Sequence, residues 1–137
     1  MLHSALVISY IVVATIFFGV MAILLSLLDK TGAASHKIAG IWGASILSVA
    51  RIRVKVRGLN HIDPRKPYIY MANHQSNFDI PVLLGNLPVQ FRWLAKEELF
   101  RIPLFGFAMK RVGYISIDRS DFRKAVTSLK KSAETIR

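Results

Sequence analysis

The chain has no cysteine and very little charge of either sign in its first fifty residues. Without cysteine it can form no disulfide, no thiolate nucleophile and no zinc site built on thiolates. Residues 1–50 contain three charged side chains, Asp29, Lys30 and Lys37, and no Lys or Arg precedes the first apolar run. A secretory signal peptide normally begins with a basic segment and has a shorter apolar core, so we expect this run to be retained.

Apolar residues and positive charge, in contrast, are abundant. Hydrophobic residues make up 53% of the 137 residues, the mean hydropathy is +0.38 and the formal net charge is +11. Almost all of the charge follows residue 50, where 17 Lys or Arg stand against 7 Asp or Glu. A basic part beside an apolar part predicts an anionic membrane surface as partner. The chain has no zinc-finger, RNP-type or basic-region pattern, so no nucleic acid partner is predicted.

The apolar part divides into two segments of different length. Residues 5–28 carry no formal charge, and as a helix these 24 residues exceed the roughly 30 Å of a hydrocarbon core. Residues 38–50 are too few to span it. Their small residues, Gly40 and Gly43, let the segment lie at the membrane interface or pack back on the first helix. We therefore predict a membrane-anchoring helical hairpin over residues 1–50, with the basic remainder on the cytoplasmic side.

The remainder of the chain alternates short strand patterns with helical patterns. The predicted strands cover residues 52–57, 67–72, 89–95 and 113–118. The predicted helices cover residues 80–87, 98–112 with a break at Pro103, and 120–137 with Ser120 or Asp121 as N-cap. This alternation predicts an α/β fold with a largely parallel sheet.

The stretch NHQSNFD, residues 73–79, joins a predicted strand to a predicted helix and carries a histidine and an aspartate. On one continuous helix His74 and Asp79 would lie on different faces, so they can meet only across a turn. A carboxylate that accepts from Nδ1 would leave Nε2 as a base for a hydroxyl that attacks a carbonyl carbon. Two alternatives remain open at this point. His74 could be only a turn residue and Asp79 an ordinary N-cap, or Ser76 could act as a nucleophile. No metal site is predicted, because a third ligand at suitable spacing is missing.

Three stretches resemble the glycerolipid acyltransferase family in content and in order. NHQSNFD resembles the family's first motif, an Asn-His followed by four residues and an Asp. KEELFRIPLFG, residues 96–106, and GYISIDR, residues 113–119, resemble two further segments of the family. The resemblance covers residues 51–137 and is strongest to bacterial members that acylate 1-acyl-glycerol-3-phosphate. Residues 1–50 agree with the family in hydrophobic character alone.

The resemblance implies an activity and a role for each motif residue. Residues 51–137 would be the N-terminal part of a catalytic domain that acylates the sn-2 hydroxyl of 1-acyl-glycerol-3-phosphate (lysophosphatidic acid) at the cell inner membrane. The acyl donor would be acyl-CoA or acyl carrier protein, the product phosphatidic acid for phospholipid biosynthesis, and no cofactor is implied. His74 would be the general base and Asp79 would orient it. The implied substrate-binding residues are Arg119, which would hold the phosphate, Lys96, Gly113, Asn73, Gln75 and Ser76.

One departure from the family and two alternatives remain open. The family's third motif, Pro-Glu-Gly-Thr-Arg, is absent from these 137 residues, and the last predicted helix reaches Arg137 without a stop signal. We therefore expect a fragment that is weakly active or inactive by itself. The alternatives are an acyltransferase of the same superfamily with another acceptor (a lysophospholipid, glycerol 3-phosphate or an aminolipid), or a membrane-anchored module that binds anionic lipid without chemistry.

Overall fold

The computed structural model describes residues 2–29, 31–63 and 65–136, with side chains described as far as residue 130. The helices in this part of the chain are α1 (Leu2–Leu28), α2 (Ala33–Val49), α3 (Asp79–Asn86), α4 (Phe105–Val112) and α5 (Phe122–Ile136). The strands are β1 (Leu94–Lys96) and β2 (Ile115–Ile117), and 3₁₀ turns cover Leu59–His61 and Glu97–Arg101.

The two strands form a small parallel sheet. Leu94 pairs with Ile115 and Lys96 with Ile117, and α4 lies between the strands in the chain. α5 follows β2 and packs against it. The predicted α/β class, with an apolar N-terminal helix and a parallel sheet, is confirmed.

Two of the four predicted strands are wrong. Residues 52–57 and 67–72 form no strand, and within the described ranges no neighbouring strand pairs with either segment. Ile69 and Met71 are both 91% exposed, so nothing described covers that segment. An alternating or apolar pattern suits a strand, but a strand also needs a partner for its backbone hydrogen bonds.

Helices α1 and α2 form an antiparallel hairpin. The hydroxyl of Ser35, near the start of α2, donates to the carbonyl of Ala22 at 2.8 Å. Further along α2, the indole N–H of Trp42 donates to the hydroxyl of Thr15 at 3.2 Å. The packing of the second apolar segment on the first is therefore present. Its role as a membrane anchor and the domain division at residue 50 stay predictions.

Helix α1 is compatible with a membrane location. Within the described residues it is the helix with the length and composition to cross a bilayer, with a mean hydropathy of 2.8 over its 18-residue window. Buried core helices and signal sequences can meet the same criteria, but 17% of this window is buried. The described residues thus leave most of the apolar surface of α1 uncovered.

The small residues of α2 face α3. A Cβ atom added at Gly43 would lie 2.8 Å from the carbonyl oxygen of Pro81, and one added at Gly85 would lie 2.9 Å from the backbone nitrogen of Ala44. Both contacts are with backbone atoms, so the two helices touch along their main chains. Because α3 begins at Asp79, this contact sets where the aspartate of the first motif sits relative to the hairpin.

Helix α4 packs on the hairpin from another side. Ala22, Ile38 and Val112 form a buried cluster that joins α1, α2 and α4. At the edge of this cluster the guanidinium of Arg111 donates to Ser26 twice, to the hydroxyl at 2.8 Å and to the carbonyl at 3.0 Å. The helix between the two strands is therefore fixed to the last turns of α1.

Candidate active site

The carboxylate of Asp79 organises the turn that joins residues 74–79. Its Oδ2 atom lies 2.9 Å from Nδ1 of His74 and accepts the backbone N–H groups of Gln75 and Ser76 at 2.8 and 2.9 Å. The N–H of Asp79 in turn donates to the carbonyl of Ser76 at 3.0 Å. The predicted contact between histidine and aspartate is therefore present, and it is made by the turn that the spacing requires.

The charge of Asp79 decides which nitrogen of His74 carries the proton. The N–H of Ser76, and after it the imidazole of His74, hold the pKa of Asp79 below its usual value. An ionised carboxylate can only accept hydrogen bonds, so Nδ1 of His74 must be the donor. In the neutral imidazole this leaves a lone pair on Nε2. The His74 side chain is 61% exposed, so the ring is open to an incoming group.

Two details of the surroundings differ from the sequence prediction. Asp79 is the first residue of α3 and Phe78 is its N-cap, and the carboxylate bonds the preceding turn rather than the helix N–H groups. The N-cap prediction for Asp79 is therefore wrong. His74 also follows a segment that forms no strand; the ring of Tyr70, 6.5 Å from that of Phe91, is a described contact between this segment and the chain leading into β1.

The other residues of the first motif have limited freedom to contact a substrate. The backbone N–H groups of Gln75 and Ser76 are already bonded to Asp79. The hydroxyl of Ser76 accepts from the N–H of Phe78 at 3.2 Å, and no bond to His74 is found in the described part, so the arrangement of an activated nucleophile is missing. Asn73 is exposed. That the side chains of Asn73, Gln75 and Ser76 contact a substrate stays a prediction.

The structure places Lys96 and Arg119 at one edge of the sheet. Lys96 is the last residue of β1 and lies in register with Ile117, the last residue of β2, which Arg119 follows by two positions. In open α/β sheets, sites form outside the carboxyl ends of the strands. The guanidinium of Arg119 is exposed and makes no hydrogen bond or ion pair with another described residue, whereas Nζ of Lys96 lies 3.1 Å from a carboxylate oxygen of Glu98.

Gly113 lies at the opposite end of β2. It ends α4 with a φ of +87°, and its N–H donates to the carbonyl of Lys110 at 3.1 Å. A left-handed residue at this position favours glycine. A strand of three residues, about 10 Å long, separates Gly113 from the edge that carries Arg119. The structure thus places Lys96 and Arg119 at the same edge of the sheet and Gly113 at the other, and the substrate contacts of all three stay predictions.

Some contacts that position these elements were not foreseen from the sequence. Gly85 was not singled out, although the pair Gly40 and Gly43 signals a close helix contact by its helical spacing. Arg111 carried no signal, because its partner Ser26 lies far away in the chain. Among the described side chains, no hydrogen bond or ion pair joins the turn of residues 74–79 to the sheet edge.

Comparisons with known proteins identify the family. The profile of the Acyltransferase family matches residues 53–137. The chain belongs to the acyltransferase family. This confirms the predicted resemblance at the level of the family.

Three curated relatives of this acyltransferase-family chain share one enzyme name. The chloroplastic 1-acyl-sn-glycerol-3-phosphate acyltransferase of Arabidopsis thaliana is 35% identical over 103 residues, which is 74% of this chain and 28% of the relative. The alpha form of Homo sapiens is 31% identical over 121 residues, 88% of this chain and 43% of the relative. The Saccharomyces cerevisiae enzyme is 34% identical over 122 residues, 88% of this chain and 40% of the relative. A bacterial origin stays a prediction.

The chain spans less than half the length of these relatives. No solved structure matches it at a significant level.

Proposed function

We propose that the protein transfers an acyl group from an acyl thioester to the sn-2 hydroxyl of 1-acyl-glycerol-3-phosphate, giving phosphatidic acid. The observation that carries this proposal is the 2.9 Å contact between Nδ1 of His74 and Oδ2 of Asp79, in a turn that leaves Nε2 exposed. The names of the plant, human and yeast relatives support the choice of acceptor.

The chemistry needs a base and no covalent intermediate. Nε2 of His74 takes the proton from the acceptor hydroxyl as its oxygen attacks the thioester carbonyl carbon. The new C–O bond forms, the tetrahedral oxyanion collapses, and the C–S bond breaks. The thiolate that leaves takes its proton from the imidazolium, whose charge Asp79 stabilises in the meantime. No acyl-enzyme is formed, so a chain without cysteine can catalyse this reaction.

The acceptor's phosphate suits the cations at the sheet edge. The guanidinium of Arg119 presents a planar set of donors that can bind two phosphate oxygens together. Its lack of a described ion pair means that phosphate need displace no carboxylate. Lys96 adds positive charge nearby, although its pairing with Glu98 weakens that contribution.

The location follows from the substrate and the charge distribution. An acyl chain leaves a bilayer at a cost of about 0.8 kcal/mol per CH₂, so the enzyme has to meet its acceptor in the membrane. We infer that residues 1–50 anchor the protein in the inner membrane, with the basic remainder facing the anionic lipids of the cytoplasmic leaflet. Each Lys or Arg close to such a surface contributes about 1 kcal/mol. Acyl-CoA or acyl carrier protein would then arrive from the cytoplasm.

An acceptor competition tests this function. The protein produced from its complete reading frame is incubated in mixed micelles with a thioester that carries a radiolabelled acyl group. The thioester is formed with either CoA or acyl carrier protein. The acceptors are 1-acyl-glycerol-3-phosphate, glycerol 3-phosphate and a neutral lysophospholipid. We expect phosphatidic acid labelled at sn-2. Transfer to another acceptor alone would contradict the proposed substrate, and lipid binding without any transfer would favour the non-catalytic module.

A further inference from the structure

An uncharged apolar stretch interrupts the basic part of the chain. Residues 102–109, IPLFGFAM, lie between Arg101 and Lys110 and contain no charged or polar side chain. They form the turn after the second 3₁₀ segment and the first part of α4. Three of their large side chains are exposed: Ile102 at 47%, Leu104 at 36% and Phe107 at 54%. The described elements leave these fractions of the three side chains uncovered.

The turn lies against the middle of α1. Residues 102–105 and four residues of α1 line an apolar groove of about 260 Å³. Thr15 is the one polar residue of the lining, and its hydroxyl donates to the carbonyl of Ile11 at 2.6 Å. A Cβ atom added at Gly19 would lie 3.9 Å from Leu104 Cγ, so the turn also contacts the next turn of α1.

The exposed surface of the turn continues that of α1. Val12 and Ile16, which line the groove, are 55% and 53% exposed, and the neighbouring Phe17 is 57% exposed. Val12, Ile16 and the turn make one uncharged apolar surface. At its border lie Arg101, whose side chain is 71% exposed and pairs with Glu97 at 2.8 Å, and Lys110, which is also exposed. Apolar side chains bordered by cations match hydrocarbon below anionic headgroups.

We propose that residues 102–107 are a second membrane-inserting element of the protein. Ile102, Leu104 and Phe107 enter the hydrocarbon of an anionic bilayer beside α1, while Arg101 and Lys110 remain among the headgroups. Because residues 102–105 pack against the middle of α1, a bilayer that contains this part of α1 also contacts the turn.

This insertion also limits the distance between the sheet edge and the membrane surface. The 3₁₀ segment Glu97–Arg101 is the whole link between Lys96 and Ile102. At about 2 Å of rise per residue it is about 10 Å long. The edge that carries Lys96 is therefore held close to the membrane surface.

Depth measurements with single labels test the insertion. The chain contains no cysteine, so Phe107→Cys can be labelled specifically with an environment-sensitive fluorophore. The labelled protein is reconstituted in phosphatidylcholine vesicles that contain a minor fraction of phosphatidylglycerol. Quenching by a nitroxide on the lipid acyl chain is compared with quenching by aqueous iodide. The matched control is Ile69→Cys, an equally apolar position that is 91% exposed. Ile102→Cys repeats the test should the first variant fail to fold.

We expect the acyl-chain nitroxide to quench labels at positions 107 and 102 several-fold more strongly than the label at position 69. Aqueous iodide should quench the label at position 69 more strongly than the other two. Equal quenching by iodide at all positions would overturn it, as would equal quenching by the lipid nitroxide. Weak quenching by both reagents at Phe107 would also overturn it, because protein rather than lipid would then cover the turn. The measurement uses no turnover, so its outcome is independent of the proposed acyl transfer.

Discussion

Nδ1 of His74 and Oδ2 of Asp79 lie 2.9 Å apart, and the same oxygen accepts the N–H groups of Gln75 and Ser76. The pair is therefore built within one turn of six residues. Its geometry depends on the local backbone and on the start of α3, not on a neighbouring strand. This explains how the contact forms although the segment before His74 pairs with no strand in the described part.

Removal of the imidazole tests the base directly. General-base assistance is typically worth 10²–10⁴-fold, so His74→Ala in the protein from its complete reading frame should lower kcat by roughly that factor. The readout is the initial rate of phosphatidic acid formation. His61→Ala is the matched control, because His61 is also exposed but lies in a separate 3₁₀ turn. A His74→Ala enzyme with the parental rate would remove the catalytic role of the pair.

Substitution of Arg119 should affect acceptor binding more than chemistry. Hydrogen bonds to charged groups contribute about 1.5–3 kcal/mol, so Arg119→Ala should lower kcat/KM for the acceptor by roughly 10- to 100-fold, mainly through KM. Arg119→Lys should recover part of the loss, because it keeps the charge but not the paired donors. Arg123→Ala, which removes an exposed cation from α5, serves as control. An unchanged KM for Arg119→Ala would exclude the phosphate contact.

Features set by local signals could be predicted from the sequence. The break at Pro103 separates the 3₁₀ turn from α4 as expected. The carboxylate of Asp121 accepts the N–H of Arg123 at 2.9 Å, as an N-cap does. The His74–Asp79 contact is also set by a local signal, because two residues five positions apart can meet only across a turn.

Features that depend on partners far away in the chain could not be predicted reliably. The patterns of residues 52–57 and 67–72 describe which side chains suit a strand, but they do not specify a partner, and neither segment has one in the described structure. The contact between Gly43 and the α3 backbone joins residues about forty positions apart. Helical spacing predicted that α2 makes a close contact, but it could not identify α3 as the neighbour.

The backbone contact between α2 and α3 leads to a stability prediction. A methyl group at position 43 would lie 2.8 Å from the carbonyl oxygen of Pro81, which cannot move without moving α3. We expect Gly43→Ala to lower the free energy of unfolding by about 1–3 kcal/mol, the usual range for overpacking. Thermal unfolding followed by circular dichroism in detergent measures it.

The matched control for this substitution is Gly19→Ala in α1. There the nearest atom to the added Cβ is Leu104 Cγ at 3.9 Å, an ordinary contact. Alanine in a helix interior is favoured over glycine by about 0.5–1 kcal/mol, so this variant should be at least as stable as the parent. If Gly43→Ala matched the stability of Gly19→Ala, the two helices would not be in backbone contact.

A buried histidine predicts how stability depends on pH. His36 is 5% exposed, with its ring edge-to-face against Phe91 at 4.7 Å and Nδ1 at 3.3 Å from the hydroxyl of Tyr114. Burial, with a smaller effect from Arg92, lowers the pKa of His36 to about 4. In the unfolded chain the imidazole takes up a proton near its ordinary value of 6.5.

Between these two pKa values the unfolded chain binds more protons than the folded protein, so the free energy of unfolding falls as the pH falls. This contribution of His36 is complete above about pH 6.5, and from pH 7 to pH 5 it should shrink by about 2 kcal/mol. Urea unfolding at the two pH values measures the difference. His36→Gln, which carries no titrating group, should lose that part of the pH dependence, whereas His61→Gln should retain it because His61 is exposed. A parental pH dependence in His36→Gln would show that the folded protein does not exclude the proton from this site.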